Sequence, residues 1–558
     1  MTRRSTVLAT LLACATLAGP SWAQTARAFV LDPGAHALVA LDLASGTRSG
    51  TLPLPGSPSR IDLSDDGHYI VVLDRGPGED KDERGYKATG RSSATVVDAS
   101  SLKVVGRVEL GFGLDSVLTG ADGRLIVTCP GYDAKDPKEA LPRELVVVDL
   151  ATARETGRLP LEPGTDLTWR SRDGRTLALL QGLPRSAKYP FPTSKIRIVD
   201  VAGPSVTATL EAGGWDAAER DDDRLYLIDG GRPDKNPQKN ENGKIDVIAL
   251  PEGRVERVDI GRSPMGAVEL EGGLIAMVSE GPAGGSAGEL RLLRDGKLAA
   301  TLPVAARPKY VTREAGSIYV VGATDVTRVD PAGLQVTATI PLAKGADAIV
   351  GGGDRPFELV VTPNGRRAFI HYPVQDKVVV LDLEQNKAIG TTKTGRGGKK
   401  FLGGMMSALT YGMSDRTYFY HPGSDPPQLV VRPDGRFAYA LNLDTSDVTI
   451  IDADTAQAVE KIGAGGRELM LMGGPTVVVV GQELNFIDAN RNVKLDPLSL
   501  PGLRGLVLSP DRAFAVALTE HTVLILDGAT GKERARLTDF VKLTRIVFAP
   551  TAATSPAP

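Results

Sequence analysis

Two stretches of this 558-residue chain align element for element: ELVVTPNGRRAFIHYPVQDKVVVLDLEQNKAIGTTKTG (358–395) and QLVVRPDGRFAYALNLDTSDVTIIDADTAQAVEKIGAG (428–465). Each reads as an apolar run, an Asn-Gly or Asp-Gly turn, a second run, a loop, a third run ending in Asp, a short turn and a fourth run. Short apolar runs bounded by turn residues are strands. Four of them in succession make an antiparallel meander. One such sheet cannot cover its own apolar faces, so copies must stack on one another. Repeated around an axis, they make a β-propeller.

The pattern recurs through nearly the whole chain. First-to-second-strand turns fall at Asp66-Gly67, Asp122-Gly123, Asp173-Gly174, Asp222-Asp223, Gly272-Gly273, Ala315-Gly316, Asn364-Gly365, Asp434-Gly435, Gly473-Gly474 and Pro510-Asp511. Several supply the positive φ that two-residue hairpins need. The third strand ends in Asp at 42, 98, 149, 200, 330, 382, 452, 488 and 527, and two repeats between Asp200 and Asp330 lack that Asp. Ten turns give ten complete blades. An eleventh is split: RAFVLDPGAHALVALDLASGTRSGTLPL (27–54) lacks a first strand, and LTRIVFAP (543–550) is a first strand with nothing after it. Joined, they close the fold and remove open edges.

The fold class is therefore all-β, with about eleven four-stranded antiparallel blades. Eleven exceeds the roughly four to eight blades of most rings. Base rates thus point to two rings: blades 1–7 over 25–343 and blades 8–11 over 356–550, joined by the Gly-rich connection 344–355. One large ring is the alternative, and the closure of the termini argues for it.

Residues 1–23 read as a secretory signal: Arg3 and Arg4, an apolar core, then Ser21-Trp22-Ala23 before the cleavage point. A lipoprotein site at Cys14 is the rival reading. After ordinary cleavage Cys129 alone remains, so no intramolecular disulfide forms, and its apolar strand predicts an inert thiol. No mature segment reaches the ~20 apolar residues of a membrane span. A net charge of −3 provides no field for nucleic acid. Residues 551–558 read as a disordered tail.

The repeats resemble those of the bacterial YVTN-family propellers, a WD40-like group. RPDGRFAYALN (432–442) with VTIIDADTAQAV (448–459), and SDDGHYIVVLD (64–74) with ATVVDASSLKVV (94–105), carry the resemblance. It implies an exported repeat protein with a binding or surface role, in the periplasm or the medium. Similar propellers occur in lactonases and periplasmic dehydrogenase subunits. The family has no shared catalytic residues to transfer.

Strand direction alternates within a blade, so the first and third turns lie on one face of the disc. The second-to-third-strand loops and the connections between blades lie on the other. The long segments gather on that second face: 76–91, 131–143, 182–195, 230–244, 281–288 and the insertion 396–426. Long loops of this kind are uncommon unless functional or disordered. They carry aromatic and basic residues of the kind that anchor interfaces: Tyr86, Tyr132, Tyr189, Phe191, Lys399, Lys400, Tyr411, Arg416, Tyr418 and His421. The alternative is that the rings pin the loops to the disc.

No cofactor or metal is expected. Gln238-x-Asn240-x-Asn242-Gly243 echoes a calcium loop but lacks its first and twelfth acidic ligands, and Asp488-x-Asn490-x-Asn492 is weaker. Met405, Met406 and Met413 near His421 suit an apolar patch better than copper. The run 79–84 reads as a solvated acidic loop. Neither HExxH nor CxxCH occurs, and no P-loop or nucleophile elbow is read. Of five His, only His371 lies near the end of a second strand, approaching the elaborated face. These features suggest a binding or scaffold protein whose partner is an envelope or extracellular protein, a glycan or a small ligand. A propeller enzyme and a self-associating surface protein are the alternatives.

Overall fold

The computed structural model describes residues 27–81, 85–120, 122–131, 140–162, 165–171, 174–182, 194–212, 217–220, 224–229, 242–250, 252–270, 273–280, 287–342, 358–395, 428–443 and 445–549. They form eleven four-stranded antiparallel blades. Blade 8 shows the plan: Glu358–Val361, Arg367–Tyr372, Lys377–Asp382 and Lys387–Lys393, each paired with the next.

Each strand's composition follows from its neighbours. The second and third strands are sandwiched by adjacent blades, so FAYALN (437–442) and KVVVLD (377–382) are buried throughout. The fourth strand is an edge, and KVVGRVE (103–109) is largely exposed. Its exposed edge carries charged side chains, the usual guard against edge-to-edge pairing.

All nine Asp at the ends of third strands perform one task. Their Oδ1 atoms accept backbone N–H groups two or three residues on: Ala44 and Ser45 on Asp42, Glu384 and Gln385 on Asp382, Asp454 and Thr455 on Asp452. The cap folds the chain directly into the fourth strand. Most first turns are one step longer than two-residue hairpins. The amide of Gly67 bonds the Ser64 carbonyl, the Ser64 amide bonds Tyr69, and only Gly67 has positive φ. Asp66 keeps negative φ and instead accepts the His68 amide. Ala315-Gly316 is a true two-residue turn, with φ of 46° and 75°.

Blades 5 and 6 share one continuous strand, Arg254–Leu270, so their sheets merge into seven strands. The segment 76–91, read as a loop, contains a hairpin of Gly78–Lys81 and Gly85–Ala88, which includes the acidic run's start. Arg545–Phe548 pairs with Arg27–Asp32, completing blade 1. Asp32 secures this junction by accepting the amides of Val541 and Lys542.

Eleven apolar clusters hold the blades together. Each joins one blade to its successor, from blades 1 and 2 round to blades 11 and 1. One cluster packs Tyr310, Tyr319 and Ile340 of blade 7 on Leu359, Ile370 and Leu381 of blade 8, across the expected ring boundary. The circuit is that of one large ring, which corrects the preference for two. Two rings would need a core between blades 1 and 7 and another between blades 8 and 11, and the described residues form neither. The connection 344–355 itself lies outside the described residues.

Candidate functional site

Blade 8 departs from the repeat at one position. The fifth residue of the second strand is Leu31, Leu73, Thr128, Leu180, Ile228, Val278, Val321, Leu441, Val480 and Leu518 in the other ten blades. In blade 8 it is His371, only 1% exposed. Phe369, two residues earlier, belongs to the core between blades 8 and 9. By strand alternation His371 faces the same interface.

Glu358 lies directly across the sheet from His371. Val360, two residues on, packs against that same core. Glu358 Oε2 is 4.0 Å from His371 Nδ1, and its side chain is 17% exposed. The carboxylate accepts the amide of Gln428 at 3.1 and 3.3 Å and also that of Leu429. Both amides belong to the start of blade 9's innermost strand. On the other side Tyr310 of blade 7 bonds the Leu359 amide.

Burial dominates the electrostatics. It pushes the Glu358 carboxyl up to about 7, with the charge of Glu314 adding to the rise and the two amides opposing it. Burial alone holds the His371 imidazole down at about 4, and so neutral. Its Nδ1 has no hydrogen-bond partner. Burial likewise raises the Tyr310 hydroxyl to about 12. A carboxyl that titrates near neutrality beside a neutral imidazole can take up and release a proton.

This pair sits where the two connections flanking blade 8 meet the disc: 343–357 ends at Glu358, and 396–427 ends at Gln428. The other root of 396–427 is fixed as well. The Thr394 carbonyl accepts Asn442 Nδ2 at 3.2 Å, Thr449 Oγ1 at 3.0 Å and Lys461 Nζ, all from blade 9. Blade 8's second loop is a single 3-10 turn, Pro373–Gln375, with Lys377 lying 4.7 Å over the Tyr372 ring.

Of the loop residues singled out by sequence, Tyr86 lies in the hairpin strand Gly85–Ala88. Tyr132, Tyr189, Phe191, Lys399, Lys400, Tyr411, Arg416, Tyr418 and His421 lie outside the described residues, as do Met405, Met406 and Met413. Asn242-Gly243 opens the strand Asn242–Ala249, which pairs with Arg254–Leu270 along its length and with Arg224–Asp229 from Lys244 on. Asp246 there is bonded by Arg257 at 2.6 and 2.8 Å, and Gln238 and Asn240 lie outside the described residues. Asp488 caps its turn through the Asn490 amide, and Asn492 accepts the Tyr439 hydroxyl at 2.7 Å. Cys129 accepts the Gly111 amide, and burial raises its thiol to about 11. The string Gly284-Gly285-Ser286-Ala287-Gly288 has nucleophile-elbow spacing that the sequence reading passed over. It leads into a strand, Gly288–Arg294, rather than the helix an elbow requires.

Sequence inspection singled out His371 but not Glu358. The signal for Glu358 lies in the repeat: the start of the first strand reads Glu358, Gln428 and Glu468 in three successive blades. Burial raises the Glu468 carboxyl too. The opposite face carries a groove of 410 Å³ between blades 5 and 6, lined by charges of both signs, including Arg224, Arg254, Glu256, Asp295 and Lys297.

No family model matches the chain, and no curated protein matches it. Among solved structures, the chain is similar to the dihydro-heme d1 dehydrogenase NirN in complex with DHE, at 12% identity and a TM-score of 0.34. That match covers 94% of this chain and 75% of the other. A eukaryotic initiation factor is similar at 11% identity and a TM-score of 0.40, covering 94% and 98%. Citrobacter koseri AztD is similar at 12% identity and a TM-score of 0.32, covering 74% and 96%. Likenesses this distant carry no argument about activity, and the fold rests on the chain's own topology.

Proposed function

We propose that the protein is an exported binding propeller that offers its loop-bearing face to a protein, a glycan or a small ligand. One-sidedness supports this reading. The described first turns of the blades are short, whereas the hairpin of Gly78–Lys81 and Gly85–Ala88 and the described ends of the two connections around blade 8, at Glu358, Gly395 and Gln428, belong to the opposite face. Loops on a rigid scaffold are where binding concentrates. The signal-like residues 1–23 and the resemblance to YVTN-family repeats support export. The test is capture from envelope extract by the mature chain, beside a variant in which a short Gly-Ser linker replaces 397–424. Loss of a captured species in the variant supports the reading. Identical capture by both folded proteins would sink it.

The Glu358–His371 pair favours a second reading, a hydrolase or a dehydrogenase subunit, because an acid titrating near neutrality is suited to proton transfer. Turnover of lactone or ester substrates that disappears in Glu358→Gln while the fold is retained would support it. Equal turnover in both proteins would exclude that role.

A further inference from the structure

Glu358 does more than line an interface. Its carboxylate is bonded to the first two amides after the 396–427 connection, so it fixes the point at which that connection rejoins the disc. We propose that Glu358 is a proton-operated latch on this root: ionised, it holds the amides of Gln428 and Leu429; protonated, it turns its hydroxyl to His371 and loosens them.

Two states follow from the donors and acceptors present. An ionised carboxylate is acceptor-only and can hold both amides, in charge-assisted bonds about twice as strong as neutral ones. A proton from solvent on Oε2 makes that oxygen a donor. A candidate acceptor is His371 Nδ1, 4.0 Å away and, like Gln428 Oε1, buried without a hydrogen-bond partner. A side-chain rotation closing about 1.2 Å brings the pair to hydrogen-bond distance. The buried imidazole, at a position where other blades carry aliphatic residues or Thr, thus gains a role as acceptor for the protonated state.

Among the described residues, the groups facing Glu358 are few. From its own sheet there is His371, held neutral by burial. From blade 7 come Tyr310 and the carboxyl of Glu314, and from blade 9 only backbone amides. None of the influences on its carboxyl is a cation, and the switch falls at about 7. That the latch alters binding at the loop-bearing face rests on the binding reading above. The latch itself does not.

Hydrogen exchange read by mass spectrometry tests it on the full mature chain without any partner. Protection of the Gln428 and Leu429 amides, corrected for intrinsic rates, is followed from pH 5.5 to 8.5. Wild type is expected to lose protection on the order of tenfold as pH falls, as charge-assisted bonds become neutral ones. Glu358→Gln, which cannot ionise, should show the low value at every pH. His371→Leu should keep the high-pH protection but lower the midpoint, because the protonated state has lost its acceptor. Strand Thr476–Val480 in blade 10 provides the pH-independent control. A flat wild-type profile, or a wild-type midpoint retained in His371→Leu, would overturn the proposal. Should Glu358→Gln fail to fold, those two measurements still decide it. Failure to find a partner would leave the exchange result untouched, so the two readings fail separately.

Discussion

His371 occupies a position that ten other blades fill with aliphatic residues or Thr128, and burial there leaves its Nδ1 without a hydrogen bond. An orphaned buried polar atom costs about 1–3 kcal/mol. His371→Leu, which restores the residue blade 9 carries at Leu441, is therefore expected to stabilise the protein by about 1 kcal/mol in a thermal or urea melt. A loss of stability would mean that the imidazole has a structural partner. The two titrating groups act in opposite directions. The Glu358 carboxyl is raised from 4.5 to about 7, so its contribution is present below 4.5 and lost as pH rises through 7. The His371 imidazole is lowered from 6.5 to about 4, so its contribution is present above 6.5 and lost as pH falls through 4. Glu358→Gln removes the first arm. Its stability relative to wild type should therefore improve between pH 5 and 8, by on the order of 2 kcal/mol. Melts at pH 5, 6, 7 and 8 check this, and a constant difference would refute it.

Strands and turns were the most legible level. The Asp at the end of each third strand does what its recurrence suggested, accepting the amides that start the fourth strand. Asp452→Ala removes bonds to the Asp454 and Thr455 amides and the Thr455 hydroxyl, and should cost about 1 kcal/mol. A melt measures it, and no change would show the cap to be dispensable. Hydrogen bonds from Ser100 and Ser101 hold the Asp98 carboxyl down at about 2. That cap therefore stabilises above pH 3.8 and is lost as pH falls through 2. Turn type was less legible. Asp-Gly signalled two-residue hairpins, but the Asp side chain bonds its own backbone and the positive φ falls on Gly alone at most sites. The hairpin 78–88 was hidden because its sequence, rich in charge, lacks the apolar alternation of a core strand.

For the whole molecule, closure depends on a strand some 500 residues from its partner. Removing 543–549 strips blade 1 of its innermost strand along with buried Leu543 and Ile546, and exposes the edge of Arg27–Asp32. The truncated chain is expected to aggregate or unfold. A circular permutant joining residue 549 to residue 27, with new ends opened between Asp434 and Gly435, should keep the strand content and remain monodisperse. Size-exclusion chromatography and far-UV circular dichroism distinguish the two. A truncated chain as stable as the parent would show the closure to be unnecessary.

Blade number, strand order and the joining of the ends were all determined by the chain alone, because hairpin pairing is local and the turn and Asp signals recur at a fixed period. Ring number was decided only in three dimensions. It depends on which blade faces share a core, and every blade carries the same aliphatic surface. The candidate site was decided there too. Glu358, His371, Gln428 and Tyr310 are spread over more than a hundred residues, and only the packing of three successive blades brings them together. What burial then does to their protons is a property of the interior they share.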